Sequence, residues 1–187
     1  GELTLSPSQF ERALACPLRW FLTTIGADGP SNAAASLGTL IHAVAEEHPH
    51  GTPDELTAAL EARIEELGYN LDTWAGRVAD RHARDIVNNL ASYLEGIPGP
   101  VEVEQTVSAQ VEGVTIRGRM DRLEHVDEGV RVTDLKTGKS GYSAKTVPDN
   151  PQLAAYQMAL LASGERVAGA RIALLGDDKL KYFDQPR

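Results

Sequence analysis

Three residues of this chain, Asp121, Asp134 and Lys136, have the types and the spacing to do chemistry together. They lie in two alternating apolar and polar runs, Gly118 to Glu124 and Val130 to Lys136, around a turn through Val126, Asp127, Glu128 and Gly129. Such alternation about an acidic, glycine-containing turn predicts a β-hairpin. Side chains of a strand alternate faces with period two, so an even-numbered loop brings Asp121 and Asp134 to one face. A two-residue loop at Asp127-Glu128 sets Asp121 opposite Asp134, and one at Glu128-Gly129 sets it opposite Lys136. Lys136 is two residues past Asp134 and shares its face. Two strand-borne carboxylates suit a hard cation such as Mg2+ or Mn2+, which prefers oxygen and retains waters. A cation there polarises a phosphoryl oxygen and acidifies a water, while the adjacent ammonium orients that water or offsets transition-state charge. That chemistry is phosphodiester hydrolysis. The competing reading is a solvated strand face, but an Asp-x-Lys step in a strand otherwise reading Val-x-Val looks placed rather than scattered.

The elements that must position these groups begin with helices. Ser6-Pro7-Ser8-Gln9 is a capping box with proline at the first helical position, Phe10 and Leu14 give an apolar face, and Pro17 ends or kinks the helix. Trp20 and Phe21 read as core, and Gly26 to Asn32 as a loop. A second helix, Ala35 to Glu47, buries Leu37, Leu40, Ile41 and Val44. His42 lies off that stripe, one turn after Gly38, which leaves room above its ring, and one before Glu46; it reads equally as a helix-surface histidine or as a functional group. Its spacing to His48 does not make a His-Glu-x-x-His zinc site. A third helix starts at Thr52, buries Leu56, Leu60, Ile64 and Leu67, and stops at Gly68. A fourth, Asp72 to Glu95, has Trp74, Val78, Ile86, Leu90 and Leu94 as its apolar side and His82 on its wet face.

The sheet follows a break at Gly96 to Pro100. Val101 to Val111 alternates, with Val103, Val107, Ala109 and Val111 on one face, Glu102 and Glu104 on the other, and Glu112-Gly113 as the turn into the strand of Asp121. Beyond Lys136, Gly138-Lys139-Ser140 is no phosphate loop, because Thr133 stands where that motif needs glycine. The long loop to Asp149 carries Lys139, Tyr142, Ser143 and Lys145 and is suited to guide a nucleic-acid strand. Asn150-Pro151 caps a helix with Gln152 and Tyr156 one turn apart on one face, followed by strands at Arg171 to Leu175 and Leu180 to Phe183. This order predicts an α/β (α+β) fold: a central mixed sheet (about 101–187) flanked by helices, with a helical portion at about 1–96. The helix after Lys136 should cross over so that the strand near Ile172 joins in parallel.

At 187 residues, 42% hydrophobic and 24% charged, the chain fits one globular domain. No apolar run reaches the ~18 residues of a membrane helix. A single cysteine fits a reducing cytoplasm. The first residue is not Met and the last three are Gln-Pro-Arg, the expectation for a domain excised from a larger protein. A net charge of −9 argues against a free-standing tight DNA binder, although Arg117, Arg119, Arg122, Lys136, Lys139 and Lys145 bunch on and after the hairpin.

Taken in order, the motifs resemble the PD-(D/E)xK nuclease superfamily, in its RecB-like exonuclease branch. They are Ser6, Ser8, Cys16-Pro17 and Trp20-Phe21; Leu-Gly-Thr-Leu-Ile-His ending at His42; Gly118-x-x-Asp121; Asp134-x-Lys136-Thr-Gly138; and Gln152-Leu153-x-x-Tyr156. The chain looks most like the nuclease domains that end AdnAB/AddAB-type helicase-nucleases. The resemblance implies a restriction-endonuclease-like core and a Mg2+- or Mn2+-dependent (exo)deoxyribonuclease, acting on single-stranded DNA ends fed by a helicase motor in double-strand-break repair. It implies His42, Asp121 and Asp134 as metal ligands, Lys136 as the group positioning the attacking water, and Gln152 and Tyr156 as orienting substrate. Glu104 resembles an accessory acidic residue, with a solvated strand residue as the alternative. Arg119, Lys139, Tyr142 and Lys145 are the expected DNA contacts. The rival function is a non-catalytic DNA-binding and guiding module. Some relatives hold a [4Fe–4S] cluster whose first cysteine stands where Cys16 does. One thiolate cannot hold such a cluster, so it requires cysteines in a longer parent chain; otherwise Cys16 is a buried small hydrophobe beside Trp20.

Overall fold

A computed structural model describes residues 3–25, 33–64, 68–97, 99–111, 113–139 and 141–187. After a short strand β1 (Leu3–Leu5), Ser6 closes the expected capping box with Gln9 and starts α1 (Pro7–Ala15). Cys16 is extended at φ −160° and Pro17 opens a separate helix, α2 (Pro17–Thr24). Then come α3 (Ala33–Glu47), α4 (Pro53–Arg63) and α5 (Trp74–Glu95), the last two capped by Thr52 and Thr73. Strands β2 (Val101–Val111), β3 (Val114–Val126) and β4 (Gly129–Lys136) follow, then α6 (Pro151–Ala162), β5 (Val167–Leu174) and β6 (Lys181–Gln185). The loops expected at Gly26 to Asn32 and at Glu112, and the buried Leu67, fall outside the described residues.

The result is a six-stranded mixed sheet flanked by helices, the α/β architecture expected of a restriction-endonuclease-like core. β3 is its hub. One edge of β3 pairs antiparallel with β2, from Val111↔Val114 to Val101↔Glu124. The other edge carries β1 in parallel at Val114 to Ile116 and β4 antiparallel from Val126↔Gly129 to Arg122↔Thr133. The Val126↔Gly129 pair makes Asp127-Glu128 the loop, and Asp121 and Asp134 are the next positions beyond the last pair, Arg122↔Thr133. β4 then runs parallel to β5 through Lys136↔Leu174, with α6 as the crossover.

Alternate residues feed two cores. Leu135, Ala173 and Leu175 pack under α3, α4 and α5 with Ile41, Val44, Leu56, Leu60, Ile86 and Leu90. Val130, Val132, Ile172 and Leu174 pack under α6 with Leu153, Ala159 and Leu160. Three expectations fail at the periphery. Strand β1 went unforeseen, since three residues carry too little alternation to read. Phe21 is 53% exposed and Trp20 only half-buried, because α2 packs chiefly on α1 and has no buried residue; Leu14 and Cys16 are exposed too, so Cys16 is not a core residue. Trp74 and Val78 lie on the opening turns of α5, ahead of the buried run that starts at Ala83, and face solvent.

Candidate metal and catalytic centre

The site sits where the sheet forks. Among the described residues no strand pairs with the β4-side edge of residues 117–121, because β4 leaves β3 after Arg122↔Thr133 to continue along β5. Side chains serve the opened backbone. Asp121 Oδ2 accepts the Leu135 amide at 2.7 Å, and the Tyr156 hydroxyl donates to the Arg119 carbonyl at 2.7 Å. Gly118 permits this closure: a Cβ there would meet Pro7 Cδ at 2.5 Å and Tyr156 Cε1 at 3.1 Å, so only glycine lets α1 and α6 both approach β3.

Two clusters of charge meet in the fork. In one, His42 Nδ1 lies 3.3 Å from Asp121 Oδ1, and one ligand atom each from His42, Glu104 and Asp121 fall within 4.8 Å of one another. Glu104 stands across β2–β3 from Asp121 and holds φ at 54°, the one non-glycine among the described residues with positive φ. In the other cluster, Gln152 Nε2 donates to Asp134 Oδ1 at 2.7 Å and Lys136 Nζ donates to Gln152 Oε1 at 3.0 Å. Asp134 Oδ2 has the Lys136 ammonium at 2.8 Å as an ion partner but no hydrogen bond of good geometry.

Burial pushes the Asp134 carboxyl up to about 6, against the pull of Lys136 and with the help of Asp121. Burial alone would lower the Lys136 pKa, yet the Asp134 carboxylate outweighs it and holds the ammonium above its ordinary value. His42 behaves likewise: burial opposes its charge, but the hydrogen bond and charge of Asp121, with Asp134 behind, raise it. These couplings tie the two clusters into one electrostatic unit.

A profile of the PD-(D/E)XK nuclease superfamily matches residues 4–186. The chain belongs to the PD-(D/E)XK nuclease superfamily. A comparison with curated proteins found no match. Among solved structures, a candidate exonuclease from Eubacterium rectale superposes with a TM-score of 0.61 at 13% identity, over 98% of this chain and 73% of that one, which shows a shared fold. SSO0001 aligns at a TM-score of 0.44 and 16% identity over 100% and 69% of the two chains, too loosely to argue from.

Members of this superfamily are divalent-metal nucleases, and the residues present fit such an ion. The donors are hard carboxylate oxygens plus an imidazole, in a mutually close, part-exposed group. The expected ligands divide unevenly: His42 and Asp121 gather with Glu104, while Asp134 is engaged by Gln152 and Lys136. Gln152 thus touches both the carboxylate and the ammonium of the Asp-x-Lys pair. Tyr156 holds backbone; burial first, then the two aspartates, keeps its hydroxyl protonated.

Of the expected DNA contacts, Arg119 bridges Glu104 and Glu46 at the cleft mouth. Tyr142 lies under the Lys136 ammonium, 5.8 Å from ring centroid to Nζ, and bonds Glu11. Lys145 is exposed, and Lys139 reaches Asp178 at 3.5 Å. Sequence reading missed the residues that hold the start of α6. Gln185 Nε2 donates to the carbonyls of Pro148 at 2.9 Å and Asn150 at 3.0 Å, and Asn150 Nδ2 donates to Glu11 Oε1 at 2.7 Å. Nothing local marks Gln185 or Glu11; only the tertiary fold brings them there.

Proposed function

We propose that this protein is a divalent-metal-dependent deoxyribonuclease that hydrolyses DNA phosphodiester bonds, with Mg2+ or Mn2+ held by His42, Asp121, Asp134 and Glu104. The observation that carries this reading is the adjacency of the His42–Glu104–Asp121 group to the Asp134–Lys136–Gln152 triangle at one fork in the sheet. When bound, the ion would polarise a phosphoryl oxygen and acidify a water.

The rest follows from this chain's own groups. Lys136, held above the ordinary lysine pKa, is an ammonium at neutral pH, so its task is charge stabilisation and water orientation rather than proton abstraction. Gln152 accepts from that ammonium while donating to Asp134, which holds the two charged groups side by side. Tyr156 keeps the β3 backbone beside Asp121 in place, and Arg119, Lys139, Tyr142 and Lys145 supply strand contacts around the opening.

The preference for single-stranded ends, exonucleolytic mode, and coupling to a helicase motor in break repair are part of the same proposal, supported by the motif order. The deciding experiment incubates end-labelled single- and double-stranded DNA with the protein and Mg2+ or Mn2+, with EDTA and Lys136→Ala as controls. Metal-dependent cleavage abolished by both controls is the expected result. DNA binding without cleavage under any metal would replace the proposal with the non-catalytic guiding module.

A further inference from the structure

Arg119 spans the mouth of a cleft of about 480 Å3 that His42, Glu46 and Glu104 help to line. Its backbone is fixed, since its carbonyl takes the Tyr156 hydroxyl at 2.7 Å, but its side chain is 60% exposed. The guanidinium reaches two carboxylates: Nε meets Glu104, and Nη2 lies 3.3 Å from Glu46 Oε2. Glu104 is therefore claimed twice, by Arg119 from outside and by the His42–Asp121 group from within.

The two claims compete, since an ion bound at either carboxylate oxygen draws off the charge that holds the guanidinium. A divalent ion binds carboxylate oxygen at about 2.0–2.2 Å and carries twice the charge of a guanidinium. Once Glu104 turns to such an ion, Arg119 keeps only Glu46, a partner with 43% of its side chain exposed. An exposed pair of that kind holds an arginine weakly. What the freed fork of N–H donors suits is a phosphate, which it can grip through two parallel bonds.

We propose that Arg119 is a stand-in cation that occupies Glu104 until a divalent ion takes it, and that the released guanidinium then grips a phosphate of the nucleic-acid substrate. The proposal rests on the nuclease reading above and adds to it a coupling. Metal frees Arg119 for phosphate, and phosphate frees Glu104 for metal, so each ligand must tighten the other by the same factor. Glu46 tethers the guanidinium at the opening in both states.

The test uses the full chain and reads binding, not turnover. Calorimetry with Mn2+ alone should give a roughly 2–5-fold tighter constant for Arg119→Gln than for the parent, the worth of one exposed ion pair removed as competitor. Fluorescence anisotropy with a labelled single-stranded oligonucleotide, in Ca2+ against EDTA, should show metal-enhanced binding by the parent. That enhancement should shrink in Arg119→Gln, with affinity in Ca2+ reduced about 10-fold for one charge-assisted phosphate contact, leaving only what the ion's own contact with phosphate supplies. Arg119→Lys keeps the charge without the fork, so it should retain parental Mn2+ affinity yet bind the oligonucleotide less tightly. Equal Mn2+ affinity in parent and Arg119→Gln, or undiminished metal enhancement in that variant, overturns the exchange. Failure of the parent to bind Mn2+ at all sinks the metal-nuclease reading instead, which separates the two failures.

Discussion

Asp121 and Glu124 stand three residues apart on β3, and each anchors a charged cluster, yet the two clusters are built to opposite ends. Glu124 is fully buried and saturated. It accepts the Tyr93 hydroxyl at 2.8 Å and Arg131 through Nε at 3.0 Å and Nη2 at 2.8 Å, with Arg122 Nε 3.5 Å away. Arg122 is equally buried and donates Nη2 to the Pro49 carbonyl at 3.0 Å, binding the hairpin to the end of α3, while its Nε and Nη1 have no hydrogen-bond partner among the described residues. Asp121, His42 and Lys136 keep partial access to solvent, while Asp134 is buried beside them. The difference is whether β4 is still paired with β3. Where Thr133 is in register with Arg122 the charges are closed off under α5; one residue further, where that ladder ends, Asp121 and Lys136 are part-exposed. Charged residues of one hairpin do structural or chemical work according to which side of the fork they fall.

The largest effect should come from the closed cluster. Glu124→Ala leaves Arg122 and Arg131 uncompensated and should cost about 3–5 kcal/mol of stability, read by denaturant unfolding. The protein that remains folded should cleave DNA normally. A near-normal midpoint would mean the closed cluster is no more structural than the open one. Next, Lys136→Ala should lower turnover about 10²–10³-fold with the melting temperature little changed, since one preorganised electrostatic group is removed. Near-normal turnover would remove Lys136 from the mechanism. Third, His42→Ala should weaken Mn2+ binding by at least ~10-fold, because even groups one step removed from a metal cost that much. Unchanged affinity by calorimetry would take His42 out of the ligand set.

The smallest effect is on pH dependence. The folded Asp134 pKa of about 6 exceeds its unfolded value, so the fold favours the protonated acid. Its stabilising contribution is complete below about pH 4 and is lost as pH rises through about 6. His42, also raised, acts in the same direction from a higher starting value. In EDTA, the melting temperature of Asp134→Asn should therefore gain on the parent as pH climbs from about 4 to 7. A constant difference across that range would show that Asp134 is not strained by burial.

The open cluster was legible in the sequence and the closed one was not, for a physical reason. Asp121, Asp134 and Lys136 announce themselves by interrupting a strand's alternation near a readable turn, and parity then places them. Arg122 reads from the sequence as one of the basic residues bunched on the hairpin, and Glu124 and Arg131 carry no signal; only α5 descending with Tyr93 makes that face interior, which withdraws the fully buried Arg122 from any nucleic-acid surface. Exposure erred the other way. Trp74, Phe21 and Leu14 have core-like side chains, but they extend past the reach of the sheet, which no local pattern reports. The crossover to β5 was foreseeable because a parallel partner needs an intervening helix, and the Asn150-Pro151 start was already visible.

The unpaired edge of residues 117–121 has a further consequence. A sheet is held by its ladders, and here one is deliberately left unzipped, with Asp121, Tyr156 and a glycine keeping the seam from closing or tearing. The seam is therefore where robustness and reactivity are exchanged for one another. Substitutions that let β4 zip onward along β3 would yield a hardier protein with a dead centre. Selection for heat tolerance alone should drift toward such solutions, and selection for cleavage should hold the seam open at the expense of the fold.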